Sequence, residues 1–166
     1  MSFMKNIISL FILSFFVLST DAQIISTSNH PSQVWPGGGI ATGAHVYGVF
    51  AGRTACQEFM KELNLDVNAE CIKRKMKIIL YQDSATGKPT TYETKGMGKW
   101  SGKGNWYILQ GTPADPRATV FQLKLDATTS LFLLKGDENV LFILDKNKNF
   151  LIGNAKFSYT LNRARN

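Results

Sequence analysis

The sequence predicts a mainly β protein, a small antiparallel meander β-barrel with one short helix near its N-terminal side. Three observations predict it. Beyond Val46 most of the chain consists of short runs in which apolar and polar residues alternate, the period-two pattern of strands with one dry face and one wet face. Turn residues separate these runs at hairpin spacing, whereas parallel strands would need crossovers of a dozen or more residues. Only the segment around 55–63 carries helical periodicity and could supply a crossover. About nine such strands must either close as a barrel or pack as a sandwich; sequential hairpins need no long Greek-key return and closure removes exposed edges, which favours the barrel.

The chain has 166 residues, room for one ordinary domain and too few for a large multidomain enzyme. Its 19 Lys plus Arg against 12 Asp plus Glu give a net charge of +7, which favours anionic surroundings without naming a partner. Near the N-terminus Lys5 precedes an apolar run from Ile7 to Leu18, shorter than the roughly 20 residues a membrane helix needs. It reads as a signal peptide over 1–22, cut after Ala22, with Thr20 and Ala22 as the small residues before the cut. No Cys stands at that point to accept a lipid, and no later run is long and apolar enough to span a bilayer. The expectation is a soluble exported protein, periplasmic or extracellular.

Residues 23–45 lack periodicity and carry Ser, Pro and the consecutive glycines Gly37, Gly38 and Gly39, so they read as a tether or loosely packed arm. Trp35 is its one large aromatic side chain and reads as a packing anchor. The domain spans 46–162. Val46 to Phe50 is a strand ended by Gly52, and a helix follows from about Ala55 to Leu63, where Cys56, Phe59, Met60 and Leu63 fall on one stripe. Thr54 and Gln57 have the spacing of a capping box. In CIKRKMKIILYQ, residues Ile72, Met76, Ile78 and Leu80 alternate with Lys73, Lys75 and Lys77, while Arg74 interrupts the apolar face and marks a barrel mouth where an anion could bind. Further strands are read at 90–95, 99–101, 105–110, 119–125, 131–135, 140–144, 150–152 and 157–161. The helix is expected to plug or cover one end.

Chemistry-bearing residues are few. Cys56 and Cys71 are the only cysteines, and in an oxidising compartment they are expected to form a disulfide fastening the helix to the barrel. The alternative is a soft-metal site for Cu(I), with Met60 one helical turn from Cys56 and Met76 five residues beyond Cys71, although core packing also accounts for both methionines. His30 and His45 lie in or beside the arm, which is no basis for a nucleophile-base-acid triad. No phosphate loop, HExxH, CxxC or GxSxG is present, so an enzyme is not expected. Asp145, Asn147 and Asn149 alternate as in a calcium loop, but the following Gly and Glu are missing and the run reads as a hairpin turn. Trp100, Trp106, Tyr107, Phe121, Phe132, Phe142, Phe150, Phe157 and Tyr159 are expected mainly to fill the barrel, and export argues against a nucleic-acid partner.

Four stretches in order carry a family resemblance: VYGVFAGRTAC, KIILYQDSATGKPTTYE, GKWSGKGNWYIL, and LFLLKGDENVLFILDKNKNFLIGN followed by FSYTLNR. From about Val46 to Asn162 the chain resembles the N-terminal domain of the NlpE family, envelope proteins tied to copper resistance and surface-stress signalling. The resemblance implies a lipocalin-like barrel. It also implies a Cys-x-x-Cys after the first strand; Cys56 matches the first position, but Phe59 stands at the second, so copper handling through that motif does not carry over and Cys71 is the remaining thiol. The expected function is that of an exported, non-enzymatic cell-envelope protein of NlpE-like type, linked to copper homeostasis or the envelope stress response. The alternative is a lipocalin-like carrier of a small apolar or anionic ligand with Arg74 at its mouth. No cofactor is expected, copper is the candidate metal, and an envelope protein or small ligand is the expected partner.

Overall fold

A computed structural model describes residues 45–164, which form one compact unit. Its elements are β1 (His45–Ala55), α1 (Cys56–Glu62), β2 (Lys73–Gln82), β3 (Pro89–Lys95), a single 3-10 turn (Gly98–Trp100), β4 (Gly102–Gln110), β5 (Thr119–Lys124), β6 (Ser130–Lys135), β7 (Val140–Leu144) and β8 (Thr160–Arg163). The eight strands pair antiparallel with their sequence neighbours, and β8 returns to β1 to close the barrel. The predicted fold class therefore stands, with one strand fewer than the roughly nine expected. The reading of a signal peptide over 1–22 and an arm over 23–45, with His30 and Trp35, lies outside the described residues except for His45, which already belongs to β1.

Alternation builds the core. Phe50, Met76, Ile78, Leu80, Tyr92, Trp106, Phe121, Leu123, Leu131, Leu133, Leu141, Ile143 and Leu161 form one inward cluster drawn from every strand. Full burial of an aliphatic or aromatic side chain of this size contributes about 1.5–3 kcal/mol, so these rows dominate the stability. Trp106 sits at the centre, its ring 5.4 Å from Tyr47 and 5.0 Å from Phe121. Its indole N–H donates to the Tyr81 carbonyl at 2.7 Å, where a register shift between Leu80 and Gln82 interrupts the β2–β3 ladder. A buried indole needs such an acceptor.

Several elements differ from the sequence reading, each for a physical reason. β1 runs through Gly52 to Ala55, because Gly52 marks a close approach rather than an end: a Cβ there would lie 2.5 Å from the Thr160 carbonyl of β8. The capping box does not form. Thr54 and Ala55 stay in the β1–β2 ladder, Ala55 is the N-cap without a side-chain bond, and the Gln57 amide donates to the Ala69 carbonyl instead. Ile72 is not on the apolar face; β2 pairing starts at Lys73, which leaves Ile72 past the barrel rim and 69% exposed. Residues 99–101 are not a strand, since the Trp100 indole donates to the Leu63 carbonyl at 3.0 Å and holds this stretch as the 3-10 turn. Residues 150–152 make only a single bridge, Leu144 to Phe150, and β8 begins later than expected, at Thr160. The aromatics divide: Trp106, Phe121 and Tyr159 are buried, but Tyr107 and Phe150 are exposed.

The strand directions define two ends. β1 enters α1 at one end, together with the turns after β3, β5 and β7, and α1 covers that end with Phe59 and Leu63 in the main core. The opposite end holds the start of β1, the β2–β3 and β4–β5 connections and the end of β8.

Candidate functional site

At the helix end the sequence-predicted site residues take separate roles. Cys56, the first residue of α1, and Cys71, just before β2, are joined as a disulfide with Cα atoms 5.6 Å apart. The β1–β2 ladder brings them together, because Cys56 N–H donates to the Ile72 carbonyl one step beyond the Ala55–Lys73 pair. Bonded sulfurs carry no thiolate, so the soft-metal alternative at Cys56 and Cys71 is not the state of this structure. Met76 is fully buried in the main core, and Met60 lies on the buried face of α1, so both thioethers serve packing. Among the described residues no group of three or more His, Cys, Asp or Glu is placed to hold a metal ion. The Asp145 run is a tight turn, as read: its carboxylate accepts the N–H groups of Asn147 and Asn149, and Lys148 adopts φ 64°.

Arg74 does stand at a mouth. It continues the inward row of Met76, Ile78 and Leu80 to the rim, where its Nε donates to the Gly96 carbonyl at 2.8 Å. That bond fixes the guanidinium across the turn leading to Trp100, with its Nη2 beside Gly98. At the same end of the barrel, the Tyr159 hydroxyl meets the Glu58 carboxylate at 3.4 Å. Burial, and then the Glu58 charge, push the Tyr159 phenol up to about 12.

Two grooves open on this end. One of about 260 Å³ runs beside the disulfide, lined by Gln57, Glu58, Ile72 and Asn154 among others. The other, about 410 Å³, lies between the end of α1 and the β5–β6 hairpin, lined by Glu62, Asn64, Gln122, Lys124, Phe132 and Lys146 among others. Both are surface features, and of the main core cluster only Ala55 lines either of them. Ile72, Phe150 and Ile152, exposed by 69, 56 and 90%, leave apolar surface on the connections at the helix end.

Toward the opposite end stands a residue that the sequence reading missed. Arg163 lies over the Phe50 ring at 4.8 Å, donates from Nη1 to the Tyr47 carbonyl at 3.0 Å, and donates from Nε to the Glu138 carbonyl at 2.6 Å. Glu138 also pairs with Lys135, which holds its carboxyl below the usual carboxylate range. Nothing in the local pattern of β8 singles out Arg163; its neighbours come from β1 and the β6–β7 turn, and only barrel closure assembles them. No known family model, curated protein or solved structure matches the chain.

Proposed function

We propose that this protein is an exported, non-enzymatic cell-envelope module of NlpE-like type that binds a partner through its surface at the helix end. The Cys56–Cys71 disulfide carries the reading, because such bonds persist in oxidising compartments and are rare in reducing ones. The surface part is supported by the side chains that occupy the interior, Trp106, Phe50, Phe121 and the leucines of β5 to β7, which favour an outer partner over cargo held within the barrel. Exposed Ile72, Phe150 and Ile152 offer the apolar anchors such a partner would cover. A link to copper would run through the dithiol form of Cys56 and Cys71, not through the bonded form.

Native mass spectrometry of the protein, purified without reductant from the compartment where it accumulates, tests this reading. The expected mass is short of the fully reduced chain by two hydrogens, with no small-molecule adduct. Free thiols with stoichiometric copper would make it a metal carrier, and a co-purified small molecule would make it a lipocalin-like carrier; either result overturns the proposal.

A further inference from the structure

The register of the first four strands sets the charges of one barrel face side by side. On β2 the inward residues are Met76, Ile78 and Leu80, so Lys73, Lys75 and Lys77 point outward. Arg53 of β1 stands directly opposite Lys75, and Lys95 of β3 directly opposite Lys77. Lys103 of β4 stands opposite Glu93 of β3, whose carboxylate also lies 4.0 Å from Lys95 Nζ. Residues 45–164 contain 17 Lys plus Arg and 11 Asp plus Glu. Six of the former and one of the latter share this face, which leaves 11 against 10 for all other described residues. Nearly all of their net charge is therefore on one face. Arg53, Lys73, Lys75 and Lys103 are exposed, and Lys77 and Lys95 are half-buried.

Folding does not call for this arrangement. Like charges directly opposite one another destabilise a sheet, and the face has two such pairs, Arg53 with Lys75 and Lys77 with Lys95. Strand lysines commonly guard an open edge, but closure of β8 onto β1 leaves this barrel without one. A face that works against its own sheet and protects no edge points to something outside the barrel. Alternate residues of a strand are about 6.8 Å apart and neighbouring strands about 4.8 Å, so the cations form a two-dimensional array spaced within the Debye length of about 8 Å. Five of the six are lysines. These are compact charges on flexible stems that level out the curvature of the barrel, and they lack the planar fork with which arginine grips single phosphate or carboxylate groups. No large apolar side chain stands among them, whereas protein interfaces are centred on apolar and aromatic residues and are depleted in lysine. None of the six lines either groove at the helix end, so those clefts do not use them. The complement of such a face is an extended anionic surface, and clusters of about four to eight Lys or Arg are of the size that holds to acidic lipid headgroups.

We propose that the outer face of β1 to β4, carrying Arg53, Lys73, Lys75, Lys77, Lys95 and Lys103, docks the barrel on a bilayer surface of anionic lipid headgroups. The contact is peripheral: the cationic heads meet headgroup phosphates, and salt loosens it. The proposal is independent of the helix-end partner surface and of the envelope assignment.

The test is sedimentation of the exported protein, as cells process it, with vesicles of phosphatidylcholine alone and of phosphatidylcholine mixed with phosphatidylglycerol. Two variants are compared with it, Lys73→Gln/Lys77→Gln on the face and Lys88→Gln/Arg117→Gln, which removes the same charge from the connections at the opposite end. Unmodified protein should pellet with the acidic vesicles only, and less as salt rises. At about fivefold per lysine, the face variant should bind about 25-fold more weakly, while the second variant stays close to the parent. Lys103→Gln alone, on a different strand, should weaken binding about fivefold. Absence of binding to acidic vesicles, or equal loss in the two double variants, would overturn the proposal. So would tighter binding to soluble heparin than to the vesicles, which would assign the face to an acidic polysaccharide chain.

Discussion

Thr54 is fully buried, and its hydroxyl has no hydrogen-bond partner, an arrangement that costs about 1–3 kcal/mol relative to a satisfied group. The residue looked like a helix cap because Gln57 follows at capping-box spacing. Pairing of Thr54 with Arg74 in the β1–β2 ladder keeps it in strand geometry, where its oxygen cannot reach the first turn of α1. Thr54→Val keeps the shape and removes the orphan oxygen, so the midpoint of denaturant unfolding should rise by the equivalent of about 1 kcal/mol. A fall of that size would mean that the hydroxyl has a partner, such as a buried water. Side chains whose role depends on covalent chemistry or strand parity were legible before the fold: Cys56 with Cys71, and Arg74 as the charged member of an inward row. Arg163 was not, because its acceptors, the Tyr47 and Glu138 carbonyls, lie in parts of the chain remote from β8.

At the scale of elements, alternating runs located most strands within one or two residues, since a half-buried strand must alternate whatever its neighbours do. The misread stretches are those where a tertiary contact outweighs local pattern. Residues 99–101 form the Gly98–Trp100 turn because Trp100 reaches α1, and 150–152 remain a loop held by one bridge. The turn into this region depends on Gly96, which has φ 79° and whose added Cβ would stand 2.0 Å from the Lys75 carbonyl of β2. The contact is with backbone and cannot be relieved by a rotamer change. Gly96→Ala should therefore lower unfolding stability by more than the roughly 1–2 kcal/mol of the left-handed conformation alone, and loosen the Arg74 contact with the Gly96 carbonyl. Calorimetry measures the first effect, and the resonance of Arg74 Nε–H reports the second. A variant as stable as the parent would show that the β3 end is free to move away from β2.

Across the whole molecule, closure by β8 turns eight modest strands into a barrel with a filled interior, and this sets how stability responds to pH. At acid pH the lowered groups are Asp83, Asp126 and Glu138, whose stabilisation is present above the ordinary carboxylate range and lost as pH falls through their lower folded values. All three lie on exposed connections, where water screens their interactions, so the acid limb should be shallow. The alkaline limb has a different origin. Tyr81, Tyr92 and Tyr159 are each at most 5% exposed, and burial raises all three phenols, Tyr159 to about 12 with Glu58 adding to the effect. A raised folded value means that the native state holds the proton more tightly than the unfolded chain. Its contribution is complete below the ordinary phenol value near 10 and is lost as pH climbs through the folded value. Between about pH 10 and 12 the protein should therefore lose stability steeply, with tyrosinate absorbance rising together with unfolding rather than ahead of it. Tyr159→Phe retains the ring but cannot ionise, and it gives up the 3.4 Å contact with Glu58 and the hydroxyl's interaction with the Phe59 backbone. Its stability near neutrality should stay close to that of the parent and its alkaline decline should be shallower. Parallel decline of the two proteins over that range, followed by urea unfolding at each pH, would show that Tyr159 ionises without opening the barrel.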